Sequence, residues 1–220
     1  MMTLAALLVI LGTPSVIDPM PVTDAVQEEV SRVIKKCEMA GFERFDWKSH
    51  LRVFHRQAQW VYGRRAVPGT HDFTLDRKAY EGRLRWAKSI RPDGQNRIYF
   101  RSFDFERVGD EIIVEAEAAL FFPTGNSVEQ RRYRLRQNKG KWMIHHLRVW
   151  PIRAIGGPIP MEYNDEYWLA ADEEAAKNLK SPERELRSRV NALVRAYWFK
   201  AAYDLVREET EANPKHANAW

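Results

Sequence analysis

The strongest pattern in the chain is an alternation of apolar and polar residues between positions 98 and 150. Successive side chains of a strand point to opposite faces, so such alternation predicts half-buried strands. Within residues 111–122, Ile112, Val114 and Leu120 share one face, while Glu115 and Glu117 lie on the other. We predict four antiparallel strands, over residues 98–108, 111–122, 128–137 and 141–150, joined by turns that contain Gly109, Gly125 and Gly140.

Ahead of these strands the apolar residues repeat at the helical period. We predict a first helix from Thr23 to Gly41, a second that starts at Asp46 and a third that starts after Thr74. We predict a short strand over residues 59–62, between the second and third helices. The predicted buried positions are Val26, Val30, Val33, Ile34 and Cys37 in the first helix, Leu51, Phe54 and Ala58 in the second, and Leu75, Ala79, Leu84 and Ala87 in the third.

The first 17 residues carry no charged side chain, and residues 4–11 are apolar throughout. This run has the length of the hydrophobic region of a signal peptide and is too short to span a bilayer. No Lys or Arg precedes it, so residues 1–21 are either a signal peptide or an N-terminal extension. Secretion to the periplasm or beyond and a cytoplasmic location therefore both stay open, and we expect no membrane span.

Composition limits the chemistry that the chain can carry. With 220 residues, 45% of them hydrophobic, the chain can bury one substantial core and a smaller second unit. Cys37 is the single cysteine, which excludes an internal disulfide and a cysteine-based zinc site. The spacing of His50 and His55, and of His145 and His146, does not suit metal ligation, so we expect neither a metal nor another cofactor.

A basic stretch is followed by an acidic one. Residues 130–160 hold eight basic residues and no acidic one, and residues 161–176 hold six acidic residues and no basic one. Arg132, Arg134 and Arg136 alternate and should form a row on one sheet face. This row is either a nucleic-acid or phosphate surface, or a solvated face neutralised by the acidic segment or by Glu115 and Glu117. We favour the second interpretation, so we do not expect a nucleic-acid partner.

We predict a linker at residues 155–165, which is rich in Gly and Pro, and a helical segment over residues 166–220. From residue 183 onward the pattern resembles one tetratricopeptide repeat, with Trp220 standing 34 residues after Leu186. The resemblance implies that residues 166–220 bind a protein partner. One helix pair cannot bury its face alone, so either the array continues past Trp220 or the pair packs on the preceding domain or on a second copy.

Residues 141–146 read KWMIHH and follow the letters YRL at 133–135 and NKG at 138–140. This hairpin resembles the last one of the nuclear transport factor 2-like (NTF2-like) superfamily, in particular its SnoaL-like and ketosteroid-isomerase-like branches. The resemblance implies an α+β fold over residues 22–154, a cone in which N-terminal helices pack on a curved antiparallel sheet. It also implies a pocket and, because the family often dimerises through its sheet, a homodimer.

The superfamily contains isomerases, cyclases, dehydratases and non-catalytic modules, so function depends on the site. An isomerase needs a carboxylate base inside the cone, and no Tyr–Asp pair matches that pattern. The leading hypothesis is a non-catalytic binding or scaffolding protein for a small apolar ligand and a protein partner. The alternative is an isomerase or cyclase that uses His146 and Asp104. The predicted pocket residues are Trp60, Tyr62, Tyr99, Tyr133, Trp142 and His146.

The inner face of the predicted sheet decides which side chains reach the pocket. Ala116 and Ala118 are small and should leave room above this face. By strict alternation, Asp104 shares a face with Ile98 and Phe100. His146 likewise shares a face with Trp142, although both faces of the last strand are apolar and either of them could line the pocket.

Overall fold

A computed structural model describes residues 21–90, 95–123, 125–156, 161–182 and 184–212, except for the side chains of residues 86, 87, 89 and 90. The segment interpreted as a signal peptide or extension lies, except for residue 21, outside the described residues. The same holds for the buried position predicted for Ala87 and for the start of a further repeat at residues 217–220.

The main helices and strands follow the predicted order, with two short strands, Phe73–Leu75 and Met161–Glu162, that were not predicted. The chain forms α1 (Asp24–Glu38), which a π-helical turn (Met39–Glu43) continues, then α2 (Trp47–Arg52), β1 (Phe54–Tyr62), β2 (Phe73–Leu75) and α3 (Arg77–Ile90). Four long strands come next: β3 (Arg97–Val108), β4 (Glu111–Phe122), β5 (Gly125–Asn138) and β6 (Lys141–Ile155). The C-terminal part holds β7 (Met161–Glu162), α4 (Asp165–Leu179), α5 (Leu186–Arg195) and α6 (Phe199–Ala212).

The strands form one curved open sheet in the order β2-β1-β6-β5-β4-β3, with β7 paired to β6. The pairs β3–β4, β4–β5 and β5–β6 are antiparallel, as predicted. The sheet is nevertheless mixed, because β1 runs parallel to β6. Helices α1, α2 and α3 pack on its inner face, and the main core lies between the helices and this face.

Two predicted helix boundaries are wrong. Phe54 and Ala58 lie in β1 rather than in α2, and Leu75 lies in β2 rather than in α3. A spacing of four residues, as between Phe54 and Ala58, suits a helix and also returns to the same face of a strand. The N-terminal caps of α2 and α3 are well defined. Asp46 accepts a hydrogen bond from the Ser49 amide at 3.1 Å, and Asp76 accepts one from the Ala79 amide at 2.8 Å.

A bulge in β3 reverses the predicted position of Asp104. Phe100 pairs with Ala118 and Ser102 pairs with Glu117, so one extra residue lies between them on β3. An extra residue shifts the alternation by one position. Beyond the bulge, β3 therefore has Phe103 and Phe105 on its inner face. Asp104 is exposed on the outer face. The prediction that Asp104 shares a face with Phe100 is wrong for this reason.

A second bulge, in β6, moves His146 to the face opposite to the predicted one. His146 pairs with Arg134, and Ile144 pairs with Leu135, which leaves His145 as the extra residue of β6. His146 therefore lies beside Arg134 on the outer face, so the prediction that it shares a face with Trp142 is also wrong. The inward residues of β6 are Trp142, Ile144, Leu147 and Val149.

The predicted arginine row lies on the outer face and is paired with carboxylates of β4. Arg132 Nε donates to Glu115 at 2.8 Å, and Arg134 Nε donates to Glu111 at 2.8 Å. Arg136 Nη2 lies 2.7 Å from the second oxygen of Glu111. Cross-strand neighbours thus neutralise the row.

The acidic segment, residues 161–176, forms ion pairs with arginines outside this row. Asp172 and Asp165 of α4 pair with Arg64 and Arg65, which lie in the loop between β1 and β2. The C-terminal helices therefore pack on the cone domain, which is one of the alternatives left open by the sequence.

The three C-terminal helices share a small core of their own. The cluster contains Ala175 of α4, Leu193 of α5, Ala202 and Leu205 of α6, and Ala196 at the turn. The predicted helix pair corresponds to α5 and α6. Within the segment predicted as a linker, β7 pairs with β6. None of the described helices is long and apolar enough to cross a membrane.

Candidate binding cavity

A cavity of about 180 Å³ lies between the helices and the inner face of β4, β5 and β6. Its floor comes from the sheet, and its walls come from α1 with the π-helical turn, from α2 and from α3. The apolar lining residues are Phe42, Phe45, Leu84, Leu120, Phe122, Leu147 and Val149. The polar ones are Glu38, His50, Tyr62, Tyr80, Arg83, Asn96, Glu129 and Arg131.

A buried ion pair joins α1 to β5 beside this cavity. Glu38 Oε2 lies 2.8 Å from Arg131 Nη1, and Glu38 Oε1 accepts a hydrogen bond from the Tyr133 hydroxyl at 2.9 Å. The second terminal nitrogen of Arg131 donates to Glu129 at 2.9 Å. Glu38, Arg131 and Tyr133 are all buried. Both oxygens of Glu38 are therefore engaged within the protein.

The charges explain why this carboxylate is ionised although it is buried. Burial alone would raise the pKa of Glu38, but the guanidinium of Arg131 and the hydrogen bond from Tyr133 outweigh burial and lower that pKa. A carboxylate held in this way is a weak proton acceptor. Its first role is to anchor the last turn of α1 to the sheet.

His50 of α2 is the second buried polar group at the cavity. Its Nδ1 lies 2.8 Å from the Cys37 carbonyl oxygen, and its Nε2 lies 3.1 Å from the Tyr80 hydroxyl. Since a carbonyl can only accept, Nδ1 carries the proton and Nε2 accepts from Tyr80. Burial lowers the pKa of His50, which agrees with a neutral ring. The imidazole links α1, α2 and α3.

The π-helical turn brings Gly41 into direct contact with this ring. A Cβ atom at Gly41 would lie 2.5 Å from His50 Nδ1 and 2.7 Å from His50 Cγ. Hydrogen bonds at Nδ1 and Nε2 hold the imidazole, so the ring cannot move away freely. Position 41 therefore requires glycine because of close approach, rather than because of its backbone angles.

Substitution of Gly41 by alanine is expected to destabilise the fold by about 1–3 kcal/mol, because the added methyl group overpacks the His50 ring. Gly82→Ala is the matched control: Gly82 is exposed within α3, and a Cβ there would meet nothing within 4 Å. It should stabilise by about 0.5–1 kcal/mol. Urea denaturation followed by circular dichroism measures both changes, and a loss of equal size in the two variants would contradict the contact argument.

The rim of the cavity lies next to the C-terminal helices. The guanidinium of Arg83 stacks over the ring of Tyr62 at 4.1 Å from the ring centroid. Tyr197, in the turn between α5 and α6, contacts the ring of Phe199 with centroids 4.7 Å apart. Burial raises the pKa of Tyr197, and the neighbouring carboxylate of Glu129 raises it further. An aromatic turn of the C-terminal part thus borders the rim.

Arg64 holds this turn in place. Its Nη1 donates to Asp172 at 2.9 Å and its Nε donates to the Ala196 carbonyl at 3.0 Å. The guanidinium also lies 4.7 Å from the centroid of the Trp168 ring. Trp198 Nε1 donates to the same Asp172 carboxylate at 2.7 Å. These contacts fix α4 and the turn after α5 against the loop between β1 and β2.

Of the six predicted pocket residues, Tyr62 lines this cavity. Trp60 and Tyr133 are fully buried in the adjacent core, and Trp142 is buried with its Nε1 donating to Glu29 at 3.1 Å. Tyr99 is 57% exposed on β3. His146 lies on the outer face with Arg134, and Asp104 is exposed there as well. Ala116 and Ala118 are buried without lining the cavity.

The sequence interpretation missed Glu38, His50 and Arg131. Glu38 stands four residues after Ile34, and so falls on the buried stripe of α1. Arg131 has the same parity as Tyr133, and so lies on the inner face of β5. A charged residue at a core position is informative, because such residues are seldom buried unless they are paired. One acidic and one basic residue at core positions would have indicated an ion pair.

Fold and site together define an α+β protein with a cavity between three helices and the inner face of a curved, mixed sheet. The element order agrees with the one that the resemblance to the NTF2-like superfamily implies. Comparison with protein-family models and with curated proteins gives no match.

Solved structures of similar shape exist. One is an NTF2-like protein of unknown function from Pseudomonas putida KT2440, with 12% identity over 59% of this chain and 89% of that one, at a TM-score of 0.48. Another is an NTF2-like protein of unknown function from Pseudomonas aeruginosa, with 19% identity over 58% and 98% of the two chains, at a TM-score of 0.45. A third is the association domain of CaMKII from C. elegans, with 13% identity over 57% and 95%, at a TM-score of 0.46.

Proposed function

We propose that this chain is a non-catalytic binding protein whose cavity holds a small, mostly apolar molecule. One observation carries the proposal. The cavity is the size of a small ring compound, and the buried acid–base groups at its wall, Glu38 and His50, are hydrogen-bonded within the protein. Such a site offers shape and apolar contact rather than a proton acceptor.

The volume and the lining support a ligand of the size of one aromatic ring. A cavity of about 150 Å³ in a protein core is large enough to bind benzene. This cavity is of that order, about 180 Å³, and its walls include Phe42, Phe45, Leu84, Leu120 and Phe122. Apolar surface that a ligand covers there contributes roughly 25 cal/mol per Å² before the cost of association.

The geometry gives less support to an isomerase or cyclase. Asp104 and His146, the residues of that alternative, lie on the outer face of the sheet. Glu38 is a carboxylate inside the cone, but Tyr133 and Arg131 occupy its two oxygens and lower its pKa. A general base needs a pKa near the working pH, and the lowered pKa of Glu38 moves this carboxylate away from it. Binding is therefore the better-supported activity.

Val149→Phe tests the proposal, because Val149 lines the cavity and a phenyl group there fills the space of one ring. Toluene is the probe, and binding is followed by ¹H–¹⁵N correlation spectra of the full chain. We expect the variant to lose at least about tenfold in toluene affinity, a change of about 1.4 kcal/mol. Val108→Phe is the matched control, since Val108 is exposed at the end of β3. Failure of both toluene and phenol to bind the wild-type protein at millimolar concentration would refute the proposal.

We also propose that the C-terminal helices bind a protein, as the resemblance to a tetratricopeptide repeat implies. In support, α4 and α6 expose large apolar side chains, Leu169 at 64% and Tyr203 at 62%. Photo-crosslinking from position 203 in the producing cells tests this role, with exposed Arg56 of β1 as the control position. Equal capture of proteins from both positions would count against it.

We also propose that the chain forms a homodimer through its sheet. The outer face of β4 and β5 presents ion pairs such as Arg132–Glu115, with Phe121 exposed near one end of β4. Sedimentation velocity over a range of protein concentrations is the measurement, and a monomer at every concentration would exclude the dimer.

A further inference from the structure

The cavity wall holds a buried hydrogen-bond acceptor that has no partner among the described residues. Asn96 precedes β3, is 1% exposed and lines the cavity. Its Nδ2 donates to the Phe42 carbonyl oxygen at 3.2 Å, which sets the orientation of the amide. Its Oδ1 is buried and has no hydrogen-bond partner among the described residues. Buried acceptors of this kind are rare, and each calls for an explanation.

The remaining polar groups of the lining differ from Asn96. His50 uses both ring nitrogens, and the Tyr80 hydroxyl donates to it. The terminal nitrogens of Arg131 are paired with Glu38 and Glu129, and its Nε, which is buried without a partner in the described part of the chain, is a donor rather than an acceptor. Asn96 thus offers an acceptor that is still free, next to the phenylalanine side chains of the apolar wall.

The charges of the lining set a second condition on the ligand. Among the described lining residues, the carboxylates of Glu38 and Glu129 stand against the guanidiniums of Arg83 and Arg131. Two negative and two positive groups leave no net charge. A charged ligand would lose its hydration without a counter-charge in the lining to replace it, so an uncharged ligand is favoured.

We propose that the cavity takes an uncharged, ring-sized molecule that carries one hydrogen-bond donor, and that Asn96 Oδ1 accepts this hydrogen bond. The proposal rests on the proposed function, since it names the ligand class of the same cavity. Phenols and small cyclic alcohols belong to this class, whereas the corresponding hydrocarbons do not. The amide orients the donor, and the phenylalanine and leucine wall contacts the ring.

Phenol and toluene form a matched pair of probes, because a hydroxyl in one replaces a methyl group of similar size in the other. Both are titrated into the full-length wild-type protein and into Asn96→Leu, a substitution of similar shape that removes the acceptor. Isothermal calorimetry gives the affinities, and ¹H–¹⁵N correlation spectra locate the binding. Asn191→Leu is the control, since Asn191 is exposed on α5.

One satisfied hydrogen bond should make phenol bind about tenfold more tightly than toluene to the wild-type protein. Asn96→Leu should abolish or reverse this preference, and Asn191→Leu should preserve it. Equal affinities of the wild-type protein for the two probes would overturn the inference and leave the proposed function intact. Binding of neither probe would overturn both. The affinities of the wild-type protein for phenol and toluene test the inference even if Asn96→Leu fails to fold.

Discussion

Replacement of Arg131 by methionine is expected to lower the free energy of unfolding by about 3–5 kcal/mol. The side chain of methionine fills much of the same space, so the loss comes from charge rather than from volume. Without the guanidinium, Glu38 is left as a buried carboxylate whose remaining partner is the Tyr133 hydroxyl. Chemical denaturation with urea measures the change.

Arg136→Met is the matched control, because Arg136 lies on the same strand with its side chain 46% exposed, and its partner Glu111 keeps Arg134 as a second partner in the variant. Surface ion pairs contribute about 0–1 kcal/mol, so the control should change little. The double variant Glu38→Met/Arg131→Met should return to within about 1–2 kcal/mol of the wild-type protein, since apolar residues replace the whole pair. Equal losses in Arg131→Met and Arg136→Met would refute the buried pair.

The stability of Arg131→Met should depend on pH in a different way from that of the wild-type protein. In the wild-type protein the pKa of Glu38 is lowered, so its stabilising contribution is present above the ordinary pKa of 4.5 and is lost as the pH falls through the lowered value. Without Arg131, burial is expected to raise that pKa. The destabilisation then develops as the pH rises through the raised value. The difference between the two proteins should therefore narrow as the pH is lowered from 7 towards 5.

Replacement of Arg148 by methionine is the second substitution with a large expected effect, again about 3–5 kcal/mol. Arg148 is buried, and its two terminal nitrogens bind the Asp72 carboxylate at 2.7 and 2.9 Å. It also donates to the carbonyl oxygens of Arg65 and Val67. One side chain of β6 thus holds both ends of the loop between β1 and β2. Arg153→Met, five residues further along β6, is the control, since Arg153 lies 4.0 Å from Glu162.

The effect of Arg148→Met should extend beyond the loop. The loop carries Arg64, which binds Asp172 and the Ala196 carbonyl, and so connects the sheet to the C-terminal helices. We expect faster amide exchange both in the loop and in the turn around Tyr197 at denaturant concentrations where the sheet is still folded. Unchanged exchange around Tyr197 would show that the helices are held independently of the loop.

Much of the fold could be predicted from local patterns. The stripe Val30, Ile34 and Cys37 on α1 and the alternation along β4 are confirmed, because the period of an element depends on its own residues. Predictions were wrong where a pattern fits two structures, as with Phe54 and Ala58, which lie in a strand. They were also wrong beyond each bulge, because a single extra residue reverses every later face assignment.

The candidate site was much less predictable than the fold. Asp104 and His146 were expected to share faces with Phe100 and Trp142, yet each lies beyond a bulge and on the outer face. Whether a strand carries an extra residue depends on its partner strand and on the packing behind it, which periodicity does not contain. Tyr62 was predicted at the pocket and does line the cavity.

The sequence by itself determined the order of the main helices and of the four long strands, and the apolar faces of α1 and β4, because these depend on residues that are neighbours in the chain. Only the tertiary structure decided that Glu38 meets Tyr133, 95 residues away, and that Asn96 and Arg131 reach one cavity. Contacts of this kind depend on strand register, on two bulges and on the docking of three helices. No local pattern specifies these features, since each arises from the packing of segments that are distant in sequence.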